Sequence, residues 1–506
     1  MLQAIKRICR ATNVEPALIL AAMSMSFLLT SQPQFQYWAR CIELGYQEFP
    51  DMNDTVCTLD LADDDRFGME LQKDIAHMRT WIQVANSIPN LISAPLLGIW
   101  ADRAGRKPAL IFSICGFCIY AVLYVIATFT YRHINVYIWF FAAETIWGAT
   151  GGSCGLIGTM FAMIIDETRK DTGTKNYSVP VRIIVGAALQ NFGGFAGNIV
   201  ITILAGLESR YLICALLQCA CIFATFFYVL LFVRETHHPN RVGEYGPDLG
   251  AASTSSSSDP SITTTRSTAN LVVLGWQHFV GLYRSMQEVL FRKRRGWIRF
   301  CVITSLALSA VELIVLDINY IYLYIKLPAF HWSDSLFSLF MTVKGLAAAT
   351  GMLLGPLVLA RLQILGKDSL YIILGCTGAA TSFYMLAFAP NTATVFSTAF
   401  VFFLVGFLYP GSRSFVPRLV EQHETARLFS ILGVVMVICP VISGIVFNSL
   451  YRETLDWWPG FSFLIAAVFA TLATFGQCAM HWLMRPLWLE EYEAVQKEKA
   501  DTKTEA

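Results

Sequence analysis

Four charged residues lie within long apolar stretches of the chain, a setting that few charged side chains occupy. They are Glu144, Glu312, Asp317 and Lys344. A charge at the centre of an apolar membrane helix costs about 3 kcal/mol or more, so such a residue usually faces an aqueous cavity and binds protons, ions or substrates. The chemistry open to this set is reversible protonation and electrostatic attraction. Glu312, Glu144 and Asp317 are therefore candidates for binding a proton.

Glu312 and Lys344 fall near the middle of their stretches. At 1.5 Å per helical residue, both would lie close to the midplane of a membrane. We predict that Glu312 is a protonatable switch, and that Lys344 is either its salt-bridge partner or an attractor for a substrate carboxylate. A purely structural ion pair that fixes the helix register is the alternative. Asp317 lies closer to the end of its stretch and is more simply explained by solvation.

Several amide side chains also lie in apolar stretches, where they could bind the polar groups of a substrate. Packing between helices explains any single one of them equally well. These candidate substrate-binding residues are Gln32, Asn86, Asn90, Gln190 and Asn191.

The chain that carries these residues is mostly apolar. Of its 506 residues, 55% are hydrophobic and 14% are charged, with a mean hydropathy of +0.52, whereas ordinary globular chains are about 25% charged. This composition excludes an ordinary soluble enzyme, and the formal net charge of +1 gives no nucleic-acid signal. Since no catalytic triad, metal-ligand spacing or phosphate-binding loop can be found in the sequence, we expect no enzymatic activity, cofactor or metal.

Twelve apolar runs are long enough to cross a membrane as helices, because lipid offers the backbone no hydrogen bonds. The first run is expected to be retained and not cleaved as a signal peptide. An even number of spans places both termini on one side, and the bias of the 37 Lys and Arg residues makes that side the cytoplasm. The runs are 16–35, 79–100, 108–130, 136–165, 179–206, 209–233, 297–322, 334–360, 369–389, 393–412, 428–450 and 459–484.

The runs divide six and six around a long polar segment. We predict a six-helix half at 1–233, a partly disordered cytoplasmic linker at 234–296, a second six-helix half at 297–484 and a cytoplasmic tail at 485–506. The tail sequence Tyr492-Glu493-Ala494-Val495 resembles a signal for sorting adaptors, although it is equally explained as a solvated helical end.

The acidic loop between the first two runs, 36–78, carries two further candidate features. The sequon at Asn53 is an acceptor for N-glycosylation if this loop is extracellular or luminal. Cys41 and Cys57 could close a local disulfide in an oxidising compartment.

A sequence motif lies in the loop between the second and third runs, with the residues Gly98, Asp102, Arg103, Gly105, Arg106 and Lys107. Their spacing resembles the loop signature of the major facilitator superfamily. Gly98 is expected to allow two helices to approach closely, and Gly105 to allow a tight turn. Asp102 is expected to place a negative charge at a helix N-terminus, and the two arginines to pair with acidic groups. The resemblance implies an all-α membrane fold with two pseudo-symmetric six-helix halves and a substrate site between them.

Three other stretches of the chain form recognisable patterns: Leu29–Gln32 with Trp38 and Leu44–Tyr46; Phe447–Tyr451 with Pro459–Phe461; and Arg413 with Leu419–Val420 and Leu428–Ser430. They resemble the proton-coupled folate transporter and thymic stromal cotransporter family of solute carriers. The resemblance implies that Arg413 aligns with an arginine used in transport, so it is a candidate for binding a substrate carboxylate. The chain departs from the family where Gly152 and Gln190 replace acidic residues and Glu144 replaces an arginine.

The sequence therefore predicts a secondary active transporter that moves a small organic solute, with an anion such as folate or a related conjugate expected, by proton symport. Its expected partners are that solute, protons and the lipid bilayer. A transport-inactive membrane sensor or scaffold is the alternative. For the location we favour the plasma membrane over the lysosome or endosome.

Overall fold

The computed structural model describes residues 13–48, 57, 65–172, 178–237, 287, 290–292, 294, 296–318, 320–361, 366–420 and 425–504. Within these ranges every regular element is a helix. Eleven helical stretches among the described residues are long and apolar enough to cross a membrane. The second predicted span, 79–100, lies in one further helix of 40 residues. The predicted fold class, an all-α membrane protein with twelve transmembrane helices, is confirmed.

The described part of the first half contains eight α-helices, in which a π-helical turn joins the first two and a short break separates the fifth from the sixth. The helices are α1 (Glu15–Ser26), α2 (Gln32–Glu48), α3 (Asp65–Ala104), α4 (Arg106–Thr130), α5 (Val136–Ala149), α6 (Gly152–Thr172), α7 (Ser178–Leu204) and α8 (Arg210–Leu231). The break between α5 and α6 falls inside the run 136–165, which the sequence predicts as one span.

Nine α-helices are described in the second half, and some neighbouring helices together form one span. They are α9 (Ile298–Leu316), α10 (Ile321–Ile325), α11 (Asp334–Arg361), α12 (Lys367–Ala387), α13 (Thr392–Val405), α14 (Leu408–Phe415), α15 (Thr425–Ser443), α16 (Ser449–Thr454) and α17 (Phe461–Thr504). The predicted tail begins inside α17, which continues unbroken to Thr504.

The two ends of the helix bundle differ in their contents. At one end, which we call the disulfide end, Cys41 and Cys57 form a disulfide with their Cα atoms 6.0 Å apart. At the opposite end, which we call the motif end, α3 turns into α4 at Gly105. The glycosylation candidate Asn53 and most of the predicted linker lie outside the described residues.

Apolar side chains hold the two halves together at the disulfide end. One core there combines Tyr37 and Leu71 of the first half with Tyr322 and Phe463 of the second. Nearer the motif end, one cluster is built from first-half helices together with Met352, and another is built from second-half helices alone. Burial of apolar side chains away from water holds helices together. The described halves are therefore held together mainly at the disulfide end, where they share the largest core.

Candidate functional site

Glu144 of α5 lies in a network of polar side chains from four spans. The Tyr120 hydroxyl on α4 lies 3.0 Å from Glu144 Oε1 and 2.7 Å from Gln32 Oε1 on α2. The Asn86 side chain on α3 donates to Glu144 Oε2 at 2.8 Å. A phenol has one hydrogen to donate, so Tyr120 can serve only one of its two oxygen neighbours at a time.

This network brings together three residues that the sequence singled out, Glu144, Gln32 and Asn86. Tyr120 was missed, because an aromatic residue in an apolar run is usually a core residue. It is fully buried, and only its contacts show that its hydroxyl joins the network.

Glu312 occupies a different place from the one expected. Its Oε1 accepts a hydrogen bond from the Cys376 thiol at 3.1 Å. The carboxyl group borders a small cavity whose other lining residues are apolar and come from α9, α12, α14 and α17, including Leu316, Leu408 and Ala473. Glu312 therefore faces the interior of the second half.

Lys344 lies apart from Glu312. Its Nζ is 4.1 Å from the centroid of the Phe402 ring on α13, which is a cation–π contact. Among the ion pairs of the described residues, none joins Lys344 to Glu312. The pairing offered by the sequence is thus not formed in this conformation, because the two side chains contact different helices.

Asp317 is half-buried and takes part in a contact between the halves. Its Oδ2 accepts a hydrogen bond from Gln83 of α3 at 2.9 Å, and the same amide also reaches the Pro440 carbonyl at 2.7 Å. The sequence suggested that Asp317 is simply solvated, but these contacts show that solvation alone does not explain it. The residue lies at the C-terminal end of α9, where the two halves meet.

The remaining substrate-binding candidates are distributed among three places. Asn191 of α7 donates to the Ala187 carbonyl at 2.8 Å and lies 3.6 Å from Met352 Sδ across the halves, with half-buried Gln190 beside it. Asn90 of α3 lies against the break between α5 and α6. Arg413 lies in α14, and its side chain is outside the described part of the structure.

A buried carboxylate is the centre of the closure at the disulfide end. Asp334, the first residue of α11, pairs with Arg210 at 2.9 Å and with Lys326 at 2.8 Å. It also accepts hydrogen bonds from Tyr211 and Tyr322, each at 2.7 Å. Because Arg210 and Tyr211 belong to the first half, this cluster joins the halves. The cluster was not predicted, because its residues lie at the ends of apolar runs, where charged side chains are ordinary.

In the loop motif at the other end, Arg106 forms ion pairs with two carboxylates. Arg106 contacts Asp102 at 2.7 Å and Asp166 of α6 at 3.2 Å. The expected pairing of Arg106 with acidic groups is observed, whereas the close helix approach at Gly98 is not, since no described atom lies within 4 Å of the position a Cβ would take there. Near this end, the described core of the first half takes in one buried side chain of the second half, Met352, so the halves pack less closely there.

The acid at the N-terminus of α4 is Glu235, and not Asp102 as the motif suggested. Its carboxylate accepts hydrogen bonds from the N–H groups of Arg106 and Lys107, each at 2.9 Å. Burial raises the pKa of Glu235, but these bonds and those from the N–H groups of Thr236 and His237 outweigh it and hold the pKa below its ordinary value. Gly105 (φ 109°) permits the contact, because a Cβ there would lie 2.9 Å from the Glu235 carboxyl carbon.

The sequence comparison decides the family. Residues 71–363, more than half of the chain, match the sequence profile of the Major Facilitator Superfamily. The chain belongs to the major facilitator superfamily. As a member of this family, it is a multi-pass membrane transporter and not an enzyme.

Characterised relatives of this major facilitator protein confirm the resemblance to the proton-coupled folate transporter family. The proton-coupled folate transporter of Bos taurus is 24% identical over 461 residues, 91% of this chain and 90% of that protein. The lysosomal proton-coupled steroid conjugate and bile acid symporter SLC46A3 of Homo sapiens is 23% identical over 475 residues, 92% of this chain and 94% of that protein.

A solved structure shows the same fold. The human organic anion transporter MFSD10 superposes with a TM-score of 0.56 at 14% identity, covering 92% of this chain and 97% of that one. In this fold the two halves move against each other around a central site. In the described part of this major facilitator chain, the large apolar core that both halves share lies at the disulfide end.

Proposed function

We propose that this transporter is a symporter that couples the movement of a small organic anion to the movement of protons by alternating access. The observation that carries the proposal is the Glu144 network, in which a titratable carboxyl group is bound by Tyr120 and Asn86 from two other helices. Burying a carboxylate whose described partners are neutral costs free energy, and protonation removes that cost. Proton coupling in the names of the relatives adds support.

In the proposed cycle a proton binds to the Glu144 carboxylate from one side of the membrane. The protonated group can donate a hydrogen bond, which lets the Tyr120 hydroxyl turn toward Gln32. The polar links between α2, α4 and α5 thereby change with the charge of Glu144. Glu312 and Asp317 remain further candidates for binding protons. Release of the proton on the opposite side resets the network.

The solute is proposed to bind between the halves. Lys344 and Arg413 are candidates for attracting its negative charge, and Gln190, Asn191 and Asn90 for hydrogen bonding to it. The loop motif is proposed to help close the motif end, with the positive charges of Arg103 and Arg106 pairing with acidic groups. Folate, steroid conjugates and bile acids, which the names of the relatives print, are the first solutes to test.

The motif end is proposed to face the cytoplasm, in agreement with the Lys and Arg bias of the sequence. The structure described here would then be open toward the inside. The plasma membrane is the proposed location, whereas one relative is named lysosomal. Microscopy of a tagged chain decides between them, and a mobility shift on glycosidase treatment that is lost in Asn53→Gln tests the orientation of the loop.

Uptake of labelled folate, a bile acid and a steroid sulfate into cells, measured at acidic and neutral pH, tests the proposal. We expect acid-stimulated uptake of at least one anion by the wild type and its loss in Glu144→Gln. The same substitution at exposed Glu208 is the matched control and should leave uptake unchanged. Uptake without acid stimulation, or full acid stimulation in Glu144→Gln and Glu312→Gln alike, would contradict proton coupling through these carboxylates.

A further inference from the structure

The fourth span is broken near its middle. Helix α5 ends at Ala149 and α6, which is 21 residues long, begins at Gly152. Gly151 (φ 97°) and Gly152 (φ 55°) adopt backbone conformations that L side chains rarely take. The N–H groups in the first turn of a helix have no partner within the helix, and the helix dipole makes that end partially positive. Half-helix N-termini within a membrane protein suit anionic substrate groups.

An unpartnered amide points at this helix start. Asn90 of α3 is 7% exposed, and its Oδ1 has no hydrogen-bond partner among the described residues. The nearest atoms to the position a Gly152 Cβ would take are those of the Asn90 amide, with Nδ2 at 2.9 Å and Cγ at 3.1 Å. A buried polar group without a partner is rare and costs free energy, so such a group in a native fold indicates a ligand or water. The unpartnered Oδ1 is an acceptor and calls for a hydrogen-bond donor, whereas the NH₂ group of the same amide, which lies nearest to the helix start, is the part that can donate to an oxyanion.

The glycine at position 152 is what leaves room for this arrangement. A side chain there would meet the Asn90 amide, and a second glycine at 151 keeps Leu97 close to the turn. The hydroxyl of exposed Ser153 follows in the first turn of α6. The helix start thus offers backbone N–H donors, an amide that can rotate to present its NH₂ group, and an exposed flank.

The same α3 surface links this place to Glu144. Asn86, which donates to Glu144, and Asn90 are four residues apart on α3, about one helical turn or 6 Å. Among the described residues, the titratable groups in the network that Asn86 joins are Glu144 of α5 and Tyr120 of α4, and the other member of the network, Gln32 of α2, is neutral. An ionised Glu144 would repel an anion at this distance, and a protonated one would not.

We propose that the start of α6 and the Asn90 amide bind an oxyanion of the transported solute, and that the anion binds best when Glu144 carries a proton. This inference rests on the proposed function and names the group of the solute that the first half recognises. It also gives the coupling a physical basis, because the proton and the anion neutralise each other's charge within one turn of α3.

Ligand-induced thermal stabilisation of the purified full chain tests the site with matched pairs of solutes. The pairs are folate with its dimethyl ester, and a steroid sulfate with the parent steroid alcohol. The wild type should be stabilised by the anionic member of at least one pair and not by the neutral one. Asn90→Asp, which adds a negative charge with almost no change of shape, should weaken that binding about 10-fold or more.

The matched control is Asn391→Asp, the same change at the exposed N-cap of α13 in the second half, which should bind like the wild type. Melting of each variant without ligand verifies that it folds. Gly152→Ala should weaken binding of the anionic member as well. If Asn90→Asp and Gly152→Ala bind the anion as the wild type does, the site is refuted while anion transport stands.

If the wild type does not distinguish the charged from the neutral member of either pair, the proposed anionic solute and this site fall together. The coupling has its own readout. Binding of the anion should strengthen as the pH falls in the wild type, and should not depend on pH over the same range in Glu144→Gln. Equal pH dependence in both proteins would overturn the link to Glu144.

Discussion

The Glu144 carboxyl group depends on neutral partners. Tyr120 and Asn86 hold its two oxygens at 3.0 Å and 2.8 Å, and neither supplies a positive charge. A positive charge beside a carboxyl group favours its ionised form. Neutral donors in an apolar setting do not fix the group in one form, so a conformational step can change whether it is protonated. A group of this kind suits a carrier that must both take up and release a proton.

Removing the Tyr120 hydroxyl tests this network at the level of one atom. Tyr120→Phe keeps the buried ring but breaks the link between Glu144 and Gln32, so we expect acid-stimulated uptake to fall several-fold while the protein still folds. The loss of the hydrogen bonds should cost about 0.5–1.5 kcal/mol of unfolding free energy. Tyr124→Phe, one turn along α4, is the control. Unchanged uptake in Tyr120→Phe would show that proton binding does not use this network.

Single residues show what the sequence can and cannot predict at this scale. The isolated charge of Glu144 in an apolar run marks it as functional, because the cost of burial needs an explanation. Its partner Tyr120 carries no such mark, since tyrosines are common in cores. Glu312 was marked in the same way as Glu144, yet its neighbours could not be read from spacing, because the direction of a side chain depends on how the helices pack.

Among the helices, α4 is held at its start by an acid from the far end of the first half. Glu235 lies just beyond α8 and accepts the N–H groups of Arg106 and Lys107. It thus ties the end of the sixth span to the loop motif. The motif itself was predicted from sequence, but Glu235 was not, because it falls in the segment assigned to the linker.

Replacing Glu235 by Gln should weaken this tie in a pH-dependent manner. The folded-state pKa of Glu235 is lowered, so its stabilisation is present above the pKa of the unfolded chain and is lost as the pH falls through the folded-state value. At neutral pH we expect Glu235→Gln to lower the free energy of unfolding by about 0.5–1 kcal/mol, a small effect because the side chain is partly exposed. Thermal unfolding should show this difference at neutral pH and a smaller one in acid.

The control for this experiment is Glu453→Gln, an exposed acid whose side chain pairs with neighbouring Arg452. It should melt like the wild type at each pH. A difference between Glu235→Gln and the wild type that stays constant from neutral to acidic pH would contradict the account, because it would mean that the charge of Glu235 does not contribute.

In the whole molecule, the disulfide end is closed by contacts between the halves. Asp334 is 7% exposed and contacts the side chains of two basic residues and two tyrosines. On the next turn of α11, Ser338 accepts a hydrogen bond from Gln34 of α2 at 2.9 Å. Apolar side chains from both halves surround this cluster. The number of spans and the division into halves were predicted from apolar runs and the loop motif. Which end is closed could not be, because one sequence serves every state of the cycle.

Loss of the Asp334 charge should open this end. Asp334→Asn leaves Arg210 and Lys326 without their buried partner, which costs about 3 kcal/mol or more in a comparable setting. We expect Ser338→Cys, buried in the closed state, to react with a membrane-impermeant maleimide from the disulfide side more than 10-fold faster when combined with Asp334→Asn. Glu453→Gln, which removes an exposed ion pair within the second half, is the control and should leave the rate unchanged.

Equal labelling of Ser338→Cys with and without Asp334→Asn would show that this cluster does not keep the end closed. The parent chain without the new cysteine gives the background from the native thiols.

The most direct test of the central claim is the movement of protons driven by the solute itself. The purified transporter is reconstituted into liposomes that contain a pH-sensitive dye, and the anion that gives the strongest uptake in cells is added outside with no initial pH gradient. We predict acidification of the interior in step with solute uptake, and no acidification with Glu144→Gln. Solute uptake by the wild type without any change of internal pH would contradict proton symport.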